Sequence, residues 1–466
     1  MINTEQKALS INLNNDIYGT FAEIGAGQEV ARYFFKVGGA AGTVAKTMSA
    51  YDMAVSDSIY GRGESGRYVC EERLQRMLNR EFSLLENRLR QDRPSTQFFA
   101  FANTVAASSF KTKSTGHGWL GVRFQSKPNE LPSDVILHVQ LLDNQNYLQQ
   151  EALGIIGVDL VYACFHYIDE SEKFISSLMA DLSLNRIEID MIKVKGPAFA
   201  KKDPRLLNLE LIKNNFSQAI IFDESGQILQ PSDALYKSHP LILRGSFRPP
   251  THVNFDMIKS GLDAFKKDIP KDQLDNLLVL PEISMSKLLE PGGLENEDFL
   301  ARVDLLSALG HKVMISNKNS FHDLNSYLMK FTSGNIGFVV GIYNLEALFD
   351  EENYKEDKYG ALKLIGTLFS RQTKVYVYPA EKKGKGIFHS ADANISNSLI
   401  LLRQLLIEEK RIIDLTNYHP DHFNIWSRDV IKMIEDGNNN WQDMVPQLVA
   451  DTVIEKNLFG HKNQLI

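Results

Sequence analysis

Cysteine is scarce: Cys70 and Cys164 are the only two in 466 residues. That excludes a disulfide framework, and their separation gives no metal-ligand spacing. Basic residues fall short too, with 51 Lys and Arg against 58 Asp and Glu, a formal charge of −7 spread without a block. General nucleic-acid binding, which needs a basic face, is therefore not expected. The opening "MINTEQKALSINLNND" lacks the apolar segment of a signal peptide. The most apolar run, "LGIIGVDLVYACF", carries Asp159 and by itself is too short to span a bilayer. Together these absences lead us to expect a soluble, cytoplasmic protein with no membrane partner. What is present is 43% apolar residues in a chain long enough for two or three real cores.

The second half alternates regularly. Apolar segments "LILRGSF", "NLLVLPEIS", "HKVMISN", "NIGFVVGIYN" and "TKVYVYPAE" are separated by amphipathic patterns near 252–267, 296–309, 319–332 and 358–370, with another at 395–410. Short apolar strands between amphipathic helices predict a Rossmann-like α/β domain: a parallel sheet with helices on both faces. The first half reads as an α+β domain, helical over 15–93 and sheet-rich over 96–235. There "TQFFAFANTVAASSF", "WLGVRFQS" and "DVILHVQLLD" are joined by short polar loops, the pattern of a mainly antiparallel sheet. "NRIEIDMIKVKG" adds a strand and "QAIIFDESGQILQP" a hairpin. The polar "QPSDALYKSHP" places the boundary at 235/236, giving domains 1–235 and 236–466.

"HPLILRGSFRPPTHVNFDMIKSGLDAF" reads as strand, turn and helix. A turn that feeds a helix N-terminus can hold phosphate, because free N–H groups and the helix dipole face it. Thr251 also reads as an ordinary N-cap, and Arg248 as a surface arginine paired with an acid. The small-residue stretches around Gly25 and Gly38 match neither a dinucleotide fingerprint nor a P-loop, and close helix packing is expected there. "STGHGWLGVRFQ" reads as a hairpin. His419 and His422 lie close in "YHPDHF" without a third ligand at metal spacing, so no metal site is expected.

Gly245-Ser246-Phe247-Arg248-Pro249-Pro250-Thr251-His252-Val253-Asn254 resembles, without a gap, the G-[ST]-F-D-P-x-[HT]-x-G-H element of the nucleotidylyltransferase superfamily, nicotinate-nucleotide adenylyltransferases in particular. "GFVVGIYNLEALF" from Gly337 resembles the family's "GaDsl" strand and helix. "NISNSLILLRQLL" from Asn394 resembles its Ser-Ser-Thr-x-x-Arg segment. The resemblance covers roughly 240–436. It implies AMP transfer from ATP to a mononucleotide-like acceptor, with Mg2+ on the triphosphate. It also implies that Thr251, His252 and Asn254 face the phosphates, while Gly245, Ser246, Phe247, Arg248, Gly341, Ser396, Ser398 and Arg403 line the nucleotide site.

The departures fall on the chemistry. Arg248 replaces the motif's Asp, Val253 its Gly, Asn254 its second His and Tyr343 the Asp of "GaDsl". Leu401 stands at the Arg position, and Arg403 lies two residues on, turned about 200° around the helix. Two readings stay open: a nucleotide-binding adenylyltransferase of doubtful activity, or a non-catalytic assembly or regulatory protein on the same scaffold. Either would take a nucleotide or phosphate-bearing small molecule as partner, and a homo-oligomer is compatible with both.

Overall fold

The structure, a computed structural model, describes all residues except 1, 65, 109–114, 291–294, 356, 357, 359, 371, 383–385 and 462–466. The outer ends of the expected segments "TQFFAFANTVAASSF" and "STGHGWLGVRFQ" lie outside the described residues. The chain divides into two compact units, Met1–Gln218 and Ala219–Ile466.

Unit 1, among its described residues, is built on a six-stranded sheet of order β2-β1-β3-β4-β5-β6. The strands are β1 (Ile17–Gly25), β2 (Val44–Ala50), β3 (Gln97–Ala106), β4 (Gly116–Phe124), β5 (Ser133–Leu141) and β6 (Ile187–Lys195). Strands β3 to β6 pair antiparallel in sequence, as the short polar connections predict. However, β1 pairs parallel with both β2 and β3. The expected helical region 15–93 therefore contains two strands, beside the helices Val30–Lys36, Met53–Tyr60 and Glu71–Leu89.

Neither missed strand shows a period-two pattern. β1 is buried on both faces, and β2 is a largely exposed edge. The glycines around them serve turns rather than helix packing, since Gly25, Gly38 and Gly39 have φ of 76°, 83° and 74°. One sheet face packs on the helix Asn146–His166, whose Ile156, Leu160 and Ala163 join Phe21, Phe101 and Val139 in the core. That helix contains the "LGIIGVDLVYACF" run and, at 21 residues, is long and apolar enough to cross a bilayer. In the protein, 78% of its most apolar window is buried.

Unit 2 carries an eight-stranded sheet of order β16-β13-β12-β9-β10-β11-β7-β8. The hairpin β7 (Ala219–Phe222) and β8 (Ile228–Leu229) pairs antiparallel onto β11. The boundary therefore lies at 218/219, not 235/236: the hairpin's buried Ile221 belongs to the second core. The remaining strands are β9 (His239–Arg244), β10 (Leu277–Ser284), β11 (Val313–Ser316), β12 (Ile336–Gly341), β13 (Thr373–Tyr378) and β16 (Ile412–Asp414). All six are parallel. A small separate ribbon joins β14 (Ala380–Lys382) to β15 (Gly386–Phe388).

In order of appearance the six parallel strands lie 3-2-1-4-5-6, the doubly wound arrangement whose strand order reverses between β9 and β12. Alternate residues of each strand face opposite layers. Ile242, Phe338 and Val340 pack with the helices Phe321–Leu328, Ile342–Leu348, Gly360–Leu368 and Ile400–Glu408. Val339 faces the helix His252–Phe265 on the other side, where a Cβ on Gly261 would lie 2.4 Å from Val339 Cγ2. The C-terminal helices Ser427–Glu435 and Gln447–Lys456 close over Ala301 and Leu305 of the helix Asn296–Ala308 through Trp441, Val449 and Val453.

Candidate functional site

Buried strand β9 delivers its chain to the crevice outside the carboxyl ends of the sheet, at the point where strand order reverses. Open α/β sheets bind ligands at this position. Phe247 takes a left-handed φ of 48° and buries its ring against Gly245, where a Cβ would come within 3.1 Å of that ring. Gly245 thus makes room for Phe247. The Arg248–Pro249 peptide is cis. Pro250 leads into Thr251, the buried N-cap of the helix His252–Phe265.

Thr251 and Asn254 close a capping box. The Thr251 N–H and hydroxyl donate to Asn254 Oδ1 at 2.9 and 3.0 Å. Two of the three side chains expected at the phosphates are therefore bound to each other. The backbone N–H groups of His252 and Val253 find no acceptor among the described residues. They are the free donors of this helix end.

Arg248 turns aside. Its Nε donates to Asp298 Oδ1 at 2.5 Å, and Asp298 also pairs with the buried Arg302 four residues on. Arg302 in turn donates to the Ser246 carbonyl at 3.4 Å and the Lys287 carbonyl at 3.2 Å. Burial pulls Arg302 below its ordinary pKa, and Asp298 counters that pull. The Gly-Ser-Phe-Arg loop is thereby clamped to the helix Asn296–Ala308, so Arg248 does not supply an unpaired charge.

The residues expected to form the second half of the site have partners of their own. Gly341 caps the helix Ile342–Leu348 with open space around its Cα. Ser396 precedes the turn Asn397–Leu399, and the Ser398 hydroxyl donates to Glu351. Arg403 is buried and donates to the Ala393 carbonyl at 2.9 Å. Among the described residues, no hydrogen bond, ion pair or ring contact joins Ser396, Ser398 or Arg403 to 245–254.

A different segment meets the loop. Residues 415–428 follow β16 and run back over the helix His252–Phe265. The Ser260 hydroxyl donates to the Asn417 carbonyl, and the Ser427 hydroxyl to the Pro249 carbonyl at 3.3 Å. His422 stacks on His252 with ring centroids 5.5 Å apart and planes 13° from parallel. Burial first, and His422 second, hold His252 below the ordinary histidine pKa. Buried Asp256 accepts the His419 N–H at 2.7 Å and the Tyr378 hydroxyl, fixing this segment to the end of β13. Beyond it, Trp426 lies 5.9 Å from Tyr343, and both rings stay open to solvent at 39% and 44% exposure. Arg428 sits 5.1 Å over Trp426.

Sequence reasoning missed the Tyr343–Trp426 pair because its members stand far apart in the chain. It missed the buried bidentate pair of Arg244 and Glu282 at 2.6 and 3.1 Å, also bound by the Ser316 hydroxyl at 2.6 Å. Here a signal existed: one charge inside each of two otherwise apolar strand segments. No group of three His, Cys, Asp or Glu that could hold a metal occurs among the described residues.

No protein-family model and no curated protein matches the chain. Among solved structures, similarity is found to a competence/damage inducible protein, CihA, of Agrobacterium tumefaciens, at 16% identity and TM-score 0.26, covering 35% of this chain and 96% of that one. A CinA-superfamily protein of Klebsiella pneumoniae is similar at 12% identity and TM-score 0.27, covering 34% and 96%. A putative nicotinate-nucleotide adenylyltransferase of Vibrio parahaemolyticus is similar at 14% identity and TM-score 0.21, covering 48% and 97%. Similarity at this level does not identify an activity.

Proposed function

We propose that unit 2 binds a nucleotide in the crevice between β9 and β12, and that it transfers AMP very slowly or not at all. The observation that carries this reading is the loop Gly245–Thr251 at the reversal of strand order, with the unbonded N–H groups of His252 and Val253 at its end. Those donors suit a phosphate, and the exposed Tyr343 and Trp426 rings suit the flat face of a base. ATP fits such a site through backbone donors alone. The loop carries no acidic side chain for Mg2+, and Asp298 beside it is held by two arginines, so a magnesium ion would ride on the triphosphate.

Adenylyl transfer needs charge-stabilising donors aimed at the triphosphate. Asn254 and Thr251 are closed on each other, Arg248 on Asp298 and Arg403 on Ala393. Removing one such donor costs about a hundred- to a thousandfold in rate, and several are engaged here. This favours the regulatory or assembly reading over a working transferase. The test is titration calorimetry with Mg-ATP and a mononucleotide panel, beside a pyrophosphate-release assay. We expect weak nucleotide binding, lost in Val253→Pro, which removes one free N–H. Turnover near the roughly 10 per second of an ordinary enzyme would overturn the slow-site reading, and absent nucleotide binding would overturn the binding part and leave the assembly role.

A further inference from the structure

Unit 2 holds a second cleft, at the opposite end of its sheet from the nucleotide crevice, with a volume of about 690 Å3. Lys237, Asn276, Asn335 and Gln372 line it, and each stands one or two residues before a strand: β9, β10, β12 and β13 in turn. Those four strands are neighbours and run parallel, so their amino ends lie side by side. Open α/β sheets bind ligands at the carboxyl ends. A polar cleft at the amino ends is therefore a separate feature of this chain.

Bonds among its own residues hold the wall of this cleft in place, with buried His239 at their centre. The Asn335 N–H donates to His239 Nδ1 at 2.9 Å, so that nitrogen is bare and the ring proton sits on Nε2. His239 Nε2–H then donates to Gln273 Oε1 at 3.0 Å. The Asn335 side-chain amide donates to the Asp268 carbonyl at 2.7 Å. The Asp268 carboxylate in turn holds Lys374 and the Tyr376 hydroxyl, which ties this wall to β13. Gly334 lets its loop close onto the start of β9: a Cβ there would lie 2.2 Å from the Ser238 carbonyl oxygen and 3.0 Å from His239 Nδ1.

These bonds leave a fixed set of polar atoms over. Among the described residues, Gln273 Nε2 and Asn335 Oδ1 have no partner, and the side chains of Asn276, Ser333 and Gln372 make no hydrogen bond. Asp268 is matched by Lys374, whereas Lys237 forms no ion pair there and only lies 5.2 Å over the Tyr236 ring. Small-molecule sites of this size are mostly apolar, but this wall is carboxamides, a hydroxyl and one ammonium. Carboxamides both donate and accept, which matches the hydroxyls of a sugar, while an apolar ligand would bury them unpaired. One ammonium matches one negative charge. We propose that the cleft binds a monosaccharide acid, its ring hydroxyls on the Gln273, Asn276 and Asn335 amides and its carboxylate at Lys237. This proposal is independent of the nucleotide reading of the other end of the sheet.

The test is titration calorimetry on the full chain with glucuronate, galacturonate and neutral glucose. At least one uronate should bind more tightly than glucose, and excess Mg-ATP should not displace it. Lys237→Met should weaken that uronate about two- to fivefold, the worth of an exposed ion pair, and leave glucose unchanged. Gln273→Ala should weaken both about two- to tenfold, the worth of a hydrogen bond. Because that change also unpairs His239, Asn276→Trp at an exposed position serves as the second variant. It fills the cleft without touching the bonds of its wall, so the chain should keep its circular dichroism spectrum and lose uronate binding. Neither uronate binding at millimolar concentration, displacement by Mg-ATP, or binding that survives Asn276→Trp would each overturn the proposal. A uronate affinity unchanged in Lys237→Met would overturn it as well.

Discussion

Asp298 illustrates how a residue unremarked in the sequence can determine the state of a motif. It holds Arg248 at the loop and the wholly buried Arg302 behind it, and Arg302 holds the Ser246 carbonyl. Removing one partner of a buried pair leaves an uncompensated charge, at about 3–5 kcal/mol. Asp298→Ala should therefore lower the stability of unit 2 by about that much, measured by urea unfolding. Arg248→Met, at a residue 23% exposed in its side chain, should cost within about 1 kcal/mol. Equal effects of the two changes would show that Arg302 is not the buried end of the network. Arg248 as a surface arginine paired with an acid was already legible in the sequence. The identity of the acid, 50 residues away in the chain, was not.

Elements pack through their glycines in opposite ways, and helix propensity alone gets the sign wrong at one of them. Gly157, in the helix Asn146–His166, faces the helix Val30–Lys36: a Cβ there would lie 2.3 Å from Val30 Cγ2 and 3.1 Å from the Phe101 ring. Alanine gains about 1 kcal/mol in helix propensity, but overpacking a rigid core costs about 1–3 kcal/mol. The clash wins, and Gly157→Ala should lower the melting temperature of unit 1. Gly366, in the exposed face of the helix Gly360–Leu368, has nothing within 4 Å. There the propensity acts unopposed, and Gly366→Ala should stabilise unit 2 by about 0.4–1 kcal/mol. Differential scanning calorimetry of the two variants checks both signs, and two shifts of the same sign would refute the argument.

At the scale of the whole molecule, buried carboxyl groups set the response to pH. Burial pushes Glu23 up to about 7, against its bonds from the Val30 and Ala31 N–H groups and Asn103. Burial likewise pushes Asp159 up to about 7, against its ion pair with Lys7 at 2.9 Å. Both folded values lie above the unfolded ones, so the folded chain binds more protons than the unfolded chain between about pH 4 and 7. Their contribution to stability is full below the unfolded values and is lost as pH rises through about 7. Denaturant midpoints of unit 1 should therefore fall across that window in a term that Asp159→Asn and Glu23→Gln remove. An unchanged pH slope in both variants would rule out these groups as its source.

The sequence by itself determined the elements whose side chains carry a period or an apolar run. The strands of unit 2 and the antiparallel run β3 to β5 show as nearly unbroken apolar runs, buried on both faces, while the amphipathic helices, among them the one opened by Thr251, write a buried face into the residue order. Local pattern could not show β1, whose buried run is broken by Gly19, Thr20 and Glu23, or β2, partly exposed at an edge, for neither gives an unbroken apolar run or a clean alternation. The order 3-2-1-4-5-6 and the assignment of the β7–β8 hairpin to the second sheet depend on pairing between distant segments. The same is true of the candidate sites. The loop Gly245–Thr251 was readable as a motif, yet which atoms remain free to meet a ligand was decided by residues brought from elsewhere: Asp298 onto Arg248, His422 onto His252, Trp426 beside Tyr343. Hydrogen bonds and ion pairs act over a few ångströms of space and are indifferent to separation along the chain, so only the tertiary structure could assign them.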